Sequence, residues 1–546
     1  MSLSVKYIDA PPGAQEDATA VSTPMQSFGV ADNLISGVPD KPFATLEPFS
    51  WPLDGSRELF DDTPYKVGWW SKERTDDNGR FVEPPVISIT FTRPFTATGI
   101  TVAFWPSLEQ WCNEIRVNWY NNDEMLNQVT EAPNSPIWVV EKTVENFNKI
   151  TIELLGTNIP GQFAKIQQIQ IGHMVIFMQD EISRVSLLNE IDPSLCELSA
   201  DTMKVEIVER KGRKIIPQET QSMYLYRDGI QIASQYIAEY SREGENLYTF
   251  SCQSAIGLLE DVYLGGIYPP GSPVKNSINN ILAGFKVDLG PFKNAKIEGY
   301  IPACTKREAL QQIAFAIGAV VTTQGDGTIR FAPLSEVVEA EFTGNNIFTG
   351  AKVTRESKFD TVQVTCHSYK EIDESEVLLE EEQINGDGVL YVFHEPHHEY
   401  SITGGTIKSR GHNWVKISAN GKVTLTGKKY LHSTSVKNLK NQNAIDSERE
   451  NVLSVEKATL VHSGNVDDIL ERLYNFSVLR DVLTQEVVVT DQKAGQLAKS
   501  EAPWGPQIVG YITSMESEFT NTGHTASITI RGKEEENAVN YRQNKK

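Results

Sequence analysis

The chain has 546 residues, with 72 acidic against 50 basic side chains and a formal net charge of −22; at about 150 residues per domain this is room for three or four cores, and folding needs no disulfide or metal staple. Such an acid excess excludes a broad grip on nucleic acid, which comes from Lys and Arg neutralising phosphates, though not a surface that faces DNA without holding it. No run reaches the ~20 apolar residues of a membrane helix, and the N-terminal stretch MSLSVKYIDAPPGAQ lacks the basic start and apolar segment of a secretory signal.

Residues 1–35 are rich in Ala, Pro, Ser, Asp and Gly with little periodicity, and read as an extended arm lying on a neighbouring domain or subunit. Residues 36–172 alternate apolar and polar positions: Ile87, Ile89 and Phe91; Ile100, Val102 and Phe104; Ile115, Val117 and Trp119; Ile150, Ile152 and Leu154; Ile169 and Ile171. Each set is a half-buried strand. Turn signals at Asp77-Asn78-Gly79, Asn121-Asn122-Asp123 and Pro160-Gly161 separate them, so the segment predicts a β-sandwich of the jelly-roll kind.

From His173 the pattern is mixed. Met203, Val205 and Ile207 alternate, a basic tip spans Arg210-Lys211-Gly212-Arg213-Lys214, and a hairpin turns at Asp228-Gly229. Leu247–Cys252 is a predicted strand and 255–262 a short helix. Residues 269–335 are α/β, with helices over 277–285 and from Thr305, a predicted N-cap with Glu308 three residues on, to about Ile317. Its apolar face is Ala309, Leu310, Ile313 and Ala314. Strands dominate 336–533, around an acidic run Glu371–Glu382 expected as a solvated loop or face. One helix is expected from Val466 to about Leu483 behind a cap at Asn465, with strands over 508–515 and 525–530 and a frayed charged tail from Lys533.

Chemistry is sparse. Cys112, Cys196, Cys252, Cys304 and Cys366 are scattered with no CxxC spacing, which predicts buried small hydrophobes made in a reducing cytosol. There is no Walker A loop, no GxGxxG after a strand, no GxSxG elbow and no EF-hand loop. His394-Glu395-Pro396-His397-His398 formally matches HExxH, but Pro396 breaks the helix that this zinc chemistry needs and Tyr391-Val392-Phe393 reads as a strand. His394, His397 and His398 are therefore minority metal candidates beside a surface or subunit-contact reading, and no cofactor is expected. Seven of the nine tryptophans fall between Trp51 and Trp138. A core and interface role is the main expectation, with Trp119 buried. Trp69, Trp70 and Trp111 are the candidates for exposure and for stacking on sugar rings.

Residues 36–172 resemble the galactose-binding-like (discoidin-type) sandwich near the N-terminus of some tail proteins of phages of Gram-positive bacteria. The resemblance is carried by Ser50-Trp51-Pro52-Leu53-Asp54-Gly55, Val67-Gly68-Trp69-Trp70-Ser71, Pro84-Pro85-Val86-Ile87-Ser88-Ile89-Thr90-Phe91, Thr98-Gly99-Ile100-Thr101-Val102 and the closing stretch 163–172. The remainder is similar to phage tail hub proteins, the central baseplate component of phage tails and of related phage-tail-like bacteriocins (tailocins). This second match lies in 423–430, the 466–483 helix, 492–497, Gly510-Tyr511-Ile512-Thr513-Ser514-Met515 and 526–532.

The resemblance implies a mainly β chain with α+β parts: an N-terminal sandwich followed by a multi-domain hub body with two tube-like β-domains. These map to an arm (1–35), the sandwich (36–172), a first tube-like domain (173–268), a small α/β domain (269–335), a second tube-like domain (336–370 with 485–533), an insert (371–484) and a flexible tail (534–546). No internal repeat in the sequence is clear enough to prove the duplication. The implied role is structural and non-enzymatic: a homotrimeric ring at the virion tail tip or baseplate, assembled in the host cytoplasm. It meets the tail tube or distal tail protein, a tip or spike protein and the tape measure protein, with no specific nucleic-acid binding and no membrane insertion. The alternative is a cell-wall carbohydrate-binding adsorption protein that uses the sandwich. A tail-associated peptidoglycan hydrolase is disfavoured, because the hub-like pattern runs to about residue 533.

Overall fold

The computed structural model describes residues 3–9, 13–38, 42–45, 47–48, 50, 54–59, 67–194, 196–210, 220–441, 450–489, 491–501, 507–520 and 523–535. All of the expected basic tip after Arg210, Trp51 and the tail beyond 535 lie outside them; the first residues of the expected frayed tail, 533–535, are strand paired with 507–509. The fold is mainly β, and the chain divides into two compact units: 4–177 with 214–224, and 1–3 with 178–213 and 225–546.

The first unit is a sandwich. Its large sheet runs β8 (Gln168–Ile171), β3 (Val86–Ala103), β6 (Ile137–Gly156), β4 (Glu114–Asn121), β5 (Glu124–Glu131), with β1 (Thr19–Thr23) also on β3. The opposing sheet is β7 (Phe163–Ile166), β2 (Trp69–Arg74) and the short strand Phe28–Gly29. The period of two works as expected: Ile87, Ile89, Ile100, Val102, Ile115, Val117, Ile150 and Ile152 are fully buried in one core. Part of the expected arm is in the sandwich itself, because β1 pairs along 86–90 of β3 and Phe28–Gly29 pairs with Trp69 and Trp70. Backbone donors and acceptors there are satisfied by the sheets rather than by solvent.

In the second unit, β9 (Ile182–Glu190), β10 (Thr202–Val208), β11 (Ser222–Arg227, its last three residues in this unit), β12 (Ile230–Glu243) and β13 (Leu247–Gln253) form an antiparallel set. The turn between β11 and β12 holds Asp228 and Gly229 at φ 50° and 77°, the paired left-handed conformation that favours Asp-Gly in two-residue hairpins. A small α/β body follows. Helices α1 (Val274–Ile281) and α2 (Lys306–Ile317) pack with β14 (Lys296–Ile301), β15 (Val320–Thr323) and β16 (Ile329–Ala332) around a shared apolar core. The α2 start is the expected capping box: Thr305 Oγ1 accepts from Glu308 N at 3.1 Å, and Glu308 Oε2 accepts from Thr305 N at 2.9 Å. Gly318 ends the helix at φ 75°. The expected helix at 255–262 is only a 3-10 turn over Ala255–Leu258, and α1 starts three residues before its expected position.

β17 (Val338–Phe342) and β18 (Lys352–Arg355) precede a long two-stranded ribbon of β19 (Thr361–Val392) and β21 (Trp414–Lys440), with β20 (His397–Thr403) alongside. The acidic run is solvated as expected, yet it is strand, not loop. Lysines across the ladder meet it: Lys428 with Asp373 at 3.1 Å, Lys429 with Glu374 at 3.1 Å and Lys422 with Glu381 at 2.6 Å. Helix α3 (Val466–Ser477) is shorter than expected, since 481–488 alternate buried and exposed and form β22 (Asp481–Val488). There Asp481 takes two hydrogen bonds from the Arg355 guanidinium, at 2.5 and 2.9 Å. The chain closes with β23 (Leu497–Ser500), β24 (Gln507–Phe519) and β25 (His524–Glu535).

Candidate functional site

The sequence-predicted residues do not converge. Trp69 and Trp70, expected at the surface, are 0% and 1% exposed. Neighbours on a strand point to opposite faces, so both faces of β2 are covered. Trp69 enters the main sandwich core, while the Trp70 ring meets Phe28, Trp105 and Phe163 at centroid distances of 5.5, 6.3 and 6.1 Å. Trp111 is partly buried against the same core, and Trp119 is buried as expected. None of this gives Trp69 or Trp70 a face to offer a sugar.

His397 and His398 lie alongside the middle of the ribbon, opposite Lys429 and Lys428 of β21. Residues 394–396 form no helical turn, and His397 opens β20. His397 is buried with Nε2 at 2.5 Å from Glu376 Oε1; His398 Nε2 lies 3.2 Å from the Ile372 carbonyl; His394 is exposed. Among the described residues no group of three or more His, Cys, Asp or Glu side chains is placed to hold a metal ion. Four cysteines are buried and Cys304 is half-buried, and none forms a disulfide. Burial pushes the Cys196 and Cys304 thiols up to about 11 and Cys252 up to about 12, away from the reactive thiolate form. Among the described residues no helix is long and apolar enough to cross a membrane.

A buried ion pair went unread in the sequence. Lys165 on β7 pairs with Glu47, the two side chains 0% and 2% exposed. Lys165 Nζ donates to Glu47 Oε1 and Gln110 Oε1, both at 2.7 Å, and stands 4.7 Å over the Trp70 ring. Burial pulls the ammonium down to about 8. Glu47 also accepts from Thr45 Oγ1 and from the Phe163 N–H, each at 2.7 Å. The network ties Thr45 and Glu47 to the small sheet.

A cleft of about 720 Å³ in the second unit is lined by Asn189, Asp201, Gln231, Arg330, Phe519 and His524 among others. Burial raises the Asp201 carboxyl to about 7. His524 stacks on Phe519 at 4.2 Å and its Nδ1 accepts from the Arg227 guanidinium at 2.6 Å. Burial, then the Arg227 charge, pulls the imidazole down to about 4. Between pH 6.5 and 4 the unfolded chain therefore binds a proton that the folded chain refuses, so stability contributed by this site is present above pH 6.5 and lost as pH falls. Partial exposure reduces the size of the effect, to about 1–2 kcal/mol. Wild type should lose that much more than His524→Gln when unfolding free energies are compared at pH 7 and pH 4; parallel losses would remove His524 as the cause.

The most organised feature is a sheet. In space the strands run β11-β12-β13-β10-β9-β24-β25-β22-β18, with β23 also on β24. Split at the junction, each half contains five strands in the same spatial order, 1-2-5-4-3 by chain position: β9-β10-β13-β12-β11 and β18-β22-β25-β24-β23, with β17 added on β23. Even the irregularities agree. A β-bulge falls between Ile237 and Glu239 of β12, and between Ile512 and Ser514 of β24. The halves join by antiparallel pairing of 185–190 on β9 with 519–514 on β24, reinforced by Arg184–Glu518 at 2.6 Å. Met515, Ser517 and Phe519 are buried at this seam.

The sequence has no match among protein-family models or among curated proteins. Among solved structures, the chain is similar to the 43 kDa tail protein of prophage MuSo2 from Shewanella oneidensis, at 11% identity over 65% of this chain and 95% of that one, with a TM-score of 0.41. It is similar to a tail protein from Neisseria meningitidis MC58, at 13% identity over 65% and 93%, TM-score 0.41. A third similarity is to the family 32 CBM of NanJ from C. perfringens, at 16% identity over 32% of this chain and 99% of that one, TM-score 0.20.

Proposed function

We propose that this chain is the structural hub of a phage tail or phage-tail-like particle, a trimeric ring that joins the tail tube to the tail tip. The observation that carries the reading is the duplicated five-strand order with its matched bulge. Two like β-domains per chain, fused edge to edge, turn a three-fold ring into six similar faces, which suits a six-fold tube on one side and a three-fold tip on the other. Closed symmetry also removes the aggregation risk of open sheet edges.

The sequence resemblance supports the same reading, and the partners follow from it: the tube or distal tail protein above, a tip or spike protein below and the tape measure protein in the bore, at the virion tail tip. The net charge of −22 suits a wall past which a polyanion slides without sticking, since like charges repel. The acidic ribbon contributes less to that field than its carboxylate count suggests, because lysines across the ladder pair with it. The native mass of the purified full chain tests the reading. Three copies per particle is the expected result, and a single copy at all concentrations would contradict it.

A further inference from the structure

The seam inside the chain specifies how two chains meet. Matching register across the duplication gives the equivalences. Leu187, Met203 and Cys252 pair in series across β9, β10 and β13; Val353, Leu483 and Ile530 do so across β18, β22 and β25. At the bulge, Cys252 faces Ile237 and Ile530 faces Ile512. Leu187 therefore corresponds to Val353, and Met515 and Ser517 of β24 correspond to Tyr240 and Arg242 of β12.

At the seam β9 covers the far half of β24. Among the described residues nothing pairs with the corresponding half of β12, and none pairs with the outer edge of β18. Burial registers the difference. Met515 is 4% exposed, whereas its counterpart Tyr240 is 49% exposed, although it lies directly across from the fully buried Phe250. Glu239 to Glu243 are all exposed, as are Lys352, Thr354 and Arg355. Long exposed edges invite pairing with another chain.

We infer that β18 of one copy pairs antiparallel with the end of β12 in the next copy, in the register of the internal seam. Leu187 faces Ser517 and Ser186 faces Glu518 within the chain. Carried across, Val353 faces Arg242, Lys352 faces Glu243, Thr354 faces Ser241 and Arg355 faces Tyr240 of the second copy. Lys352 opposite Glu243 is charge-complementary, which favours this register in an antiparallel pair. The contact is heterologous: one edge of each copy meets a different edge of its neighbour, so it propagates around a ring. This inference rests on the ring reading and adds to it which edges meet and in which register.

Paired residues on antiparallel strands have Cα atoms about 4.5–5.5 Å apart, within the span of a disulfide. Thr354 and Ser241 are both exposed, so Thr354→Cys with Ser241→Cys in the full chain should fold and, on oxidation, yield chain-to-chain disulfides in a ladder ending at three copies. Each single variant, and Val353→Cys with Ser241→Cys, whose side chains take opposite faces, should stay at the mass of one chain on denaturing gels. A native trimer in which the 354–241 pair fails to cross-link overturns the register while leaving the ring reading intact. A ladder running past three copies supports the edge pairing and overturns the ring. A native monomer with no cross-link overturns both.

Discussion

Lys165→Met should destabilise the sandwich by about 3–5 kcal/mol, the range for breaking a buried ion pair by removing one partner. The loss comes from what remains. Glu47 keeps its hydrogen bonds from Thr45 and Phe163 but loses the buried positive charge 2.7 Å from its Oε1, and Gln110 loses a donor. Replacing both partners, Lys165→Met with Glu47→Leu, should recover most of the loss, because matched apolar side chains avoid the desolvation cost that an ion pair carries. Denaturant unfolding of the full chain, read on the transition that the single variant moves, checks both statements. A single variant within about 0.5 kcal/mol of wild type, the usual range for surface changes, would mean that water reaches Glu47.

Trp70→Ala should cost about 3–5 kcal/mol, the range for emptying a buried aromatic site. Three aromatic rings and the Lys165 ammonium lose their partner at once. Because Trp70 and Lys165 touch, the two losses should fall short of additivity by an interaction of about 0.5–3 kcal/mol. A sugar-stacking tryptophan behaves in the opposite way: its removal abolishes binding and leaves stability nearly unchanged. Thermal and denaturant unfolding of Trp70→Ala beside wild type distinguishes the two, and an unchanged midpoint would return Trp70 to the surface.

What the sequence revealed follows from the range of each signal. The sandwich strands were legible because Ile87, Ile89, Ile100 and Val102 alternate locally, and α2 because Thr305 and Glu308 cap it within one turn. Tryptophan spacing identified a core-rich region, but it could not show that Phe28 and Phe163 close the second face of β2. Whether the acidic run was a loop or a strand face stayed open because its lysine partners lie some forty to sixty residues further along the chain. Helix α3 was overextended because Leu483 continues its apolar count, while the period of two from Asp481 decides the matter.

The duplication was illegible for a different reason. Equivalent positions such as Met203 and Leu483, or Cys252 and Ile530, share burial and register but not identity. Only strand order and the matched bulge expose the likeness. A seam between residues 185–190 and 514–519 lies beyond any local pattern, and so do the two edges it leaves open. Lys352 to Arg355 and Glu239 to Glu243 carried no motif; their signal is a strand paired on one side, with no strand on its outer edge among the described residues.

An image of the assembled full chain, class-averaged from negatively stained particles, tests the central claim most directly. A ring with three-fold symmetry, six similar lobes and an open bore is the predicted result. Solitary globules without a bore would contradict it.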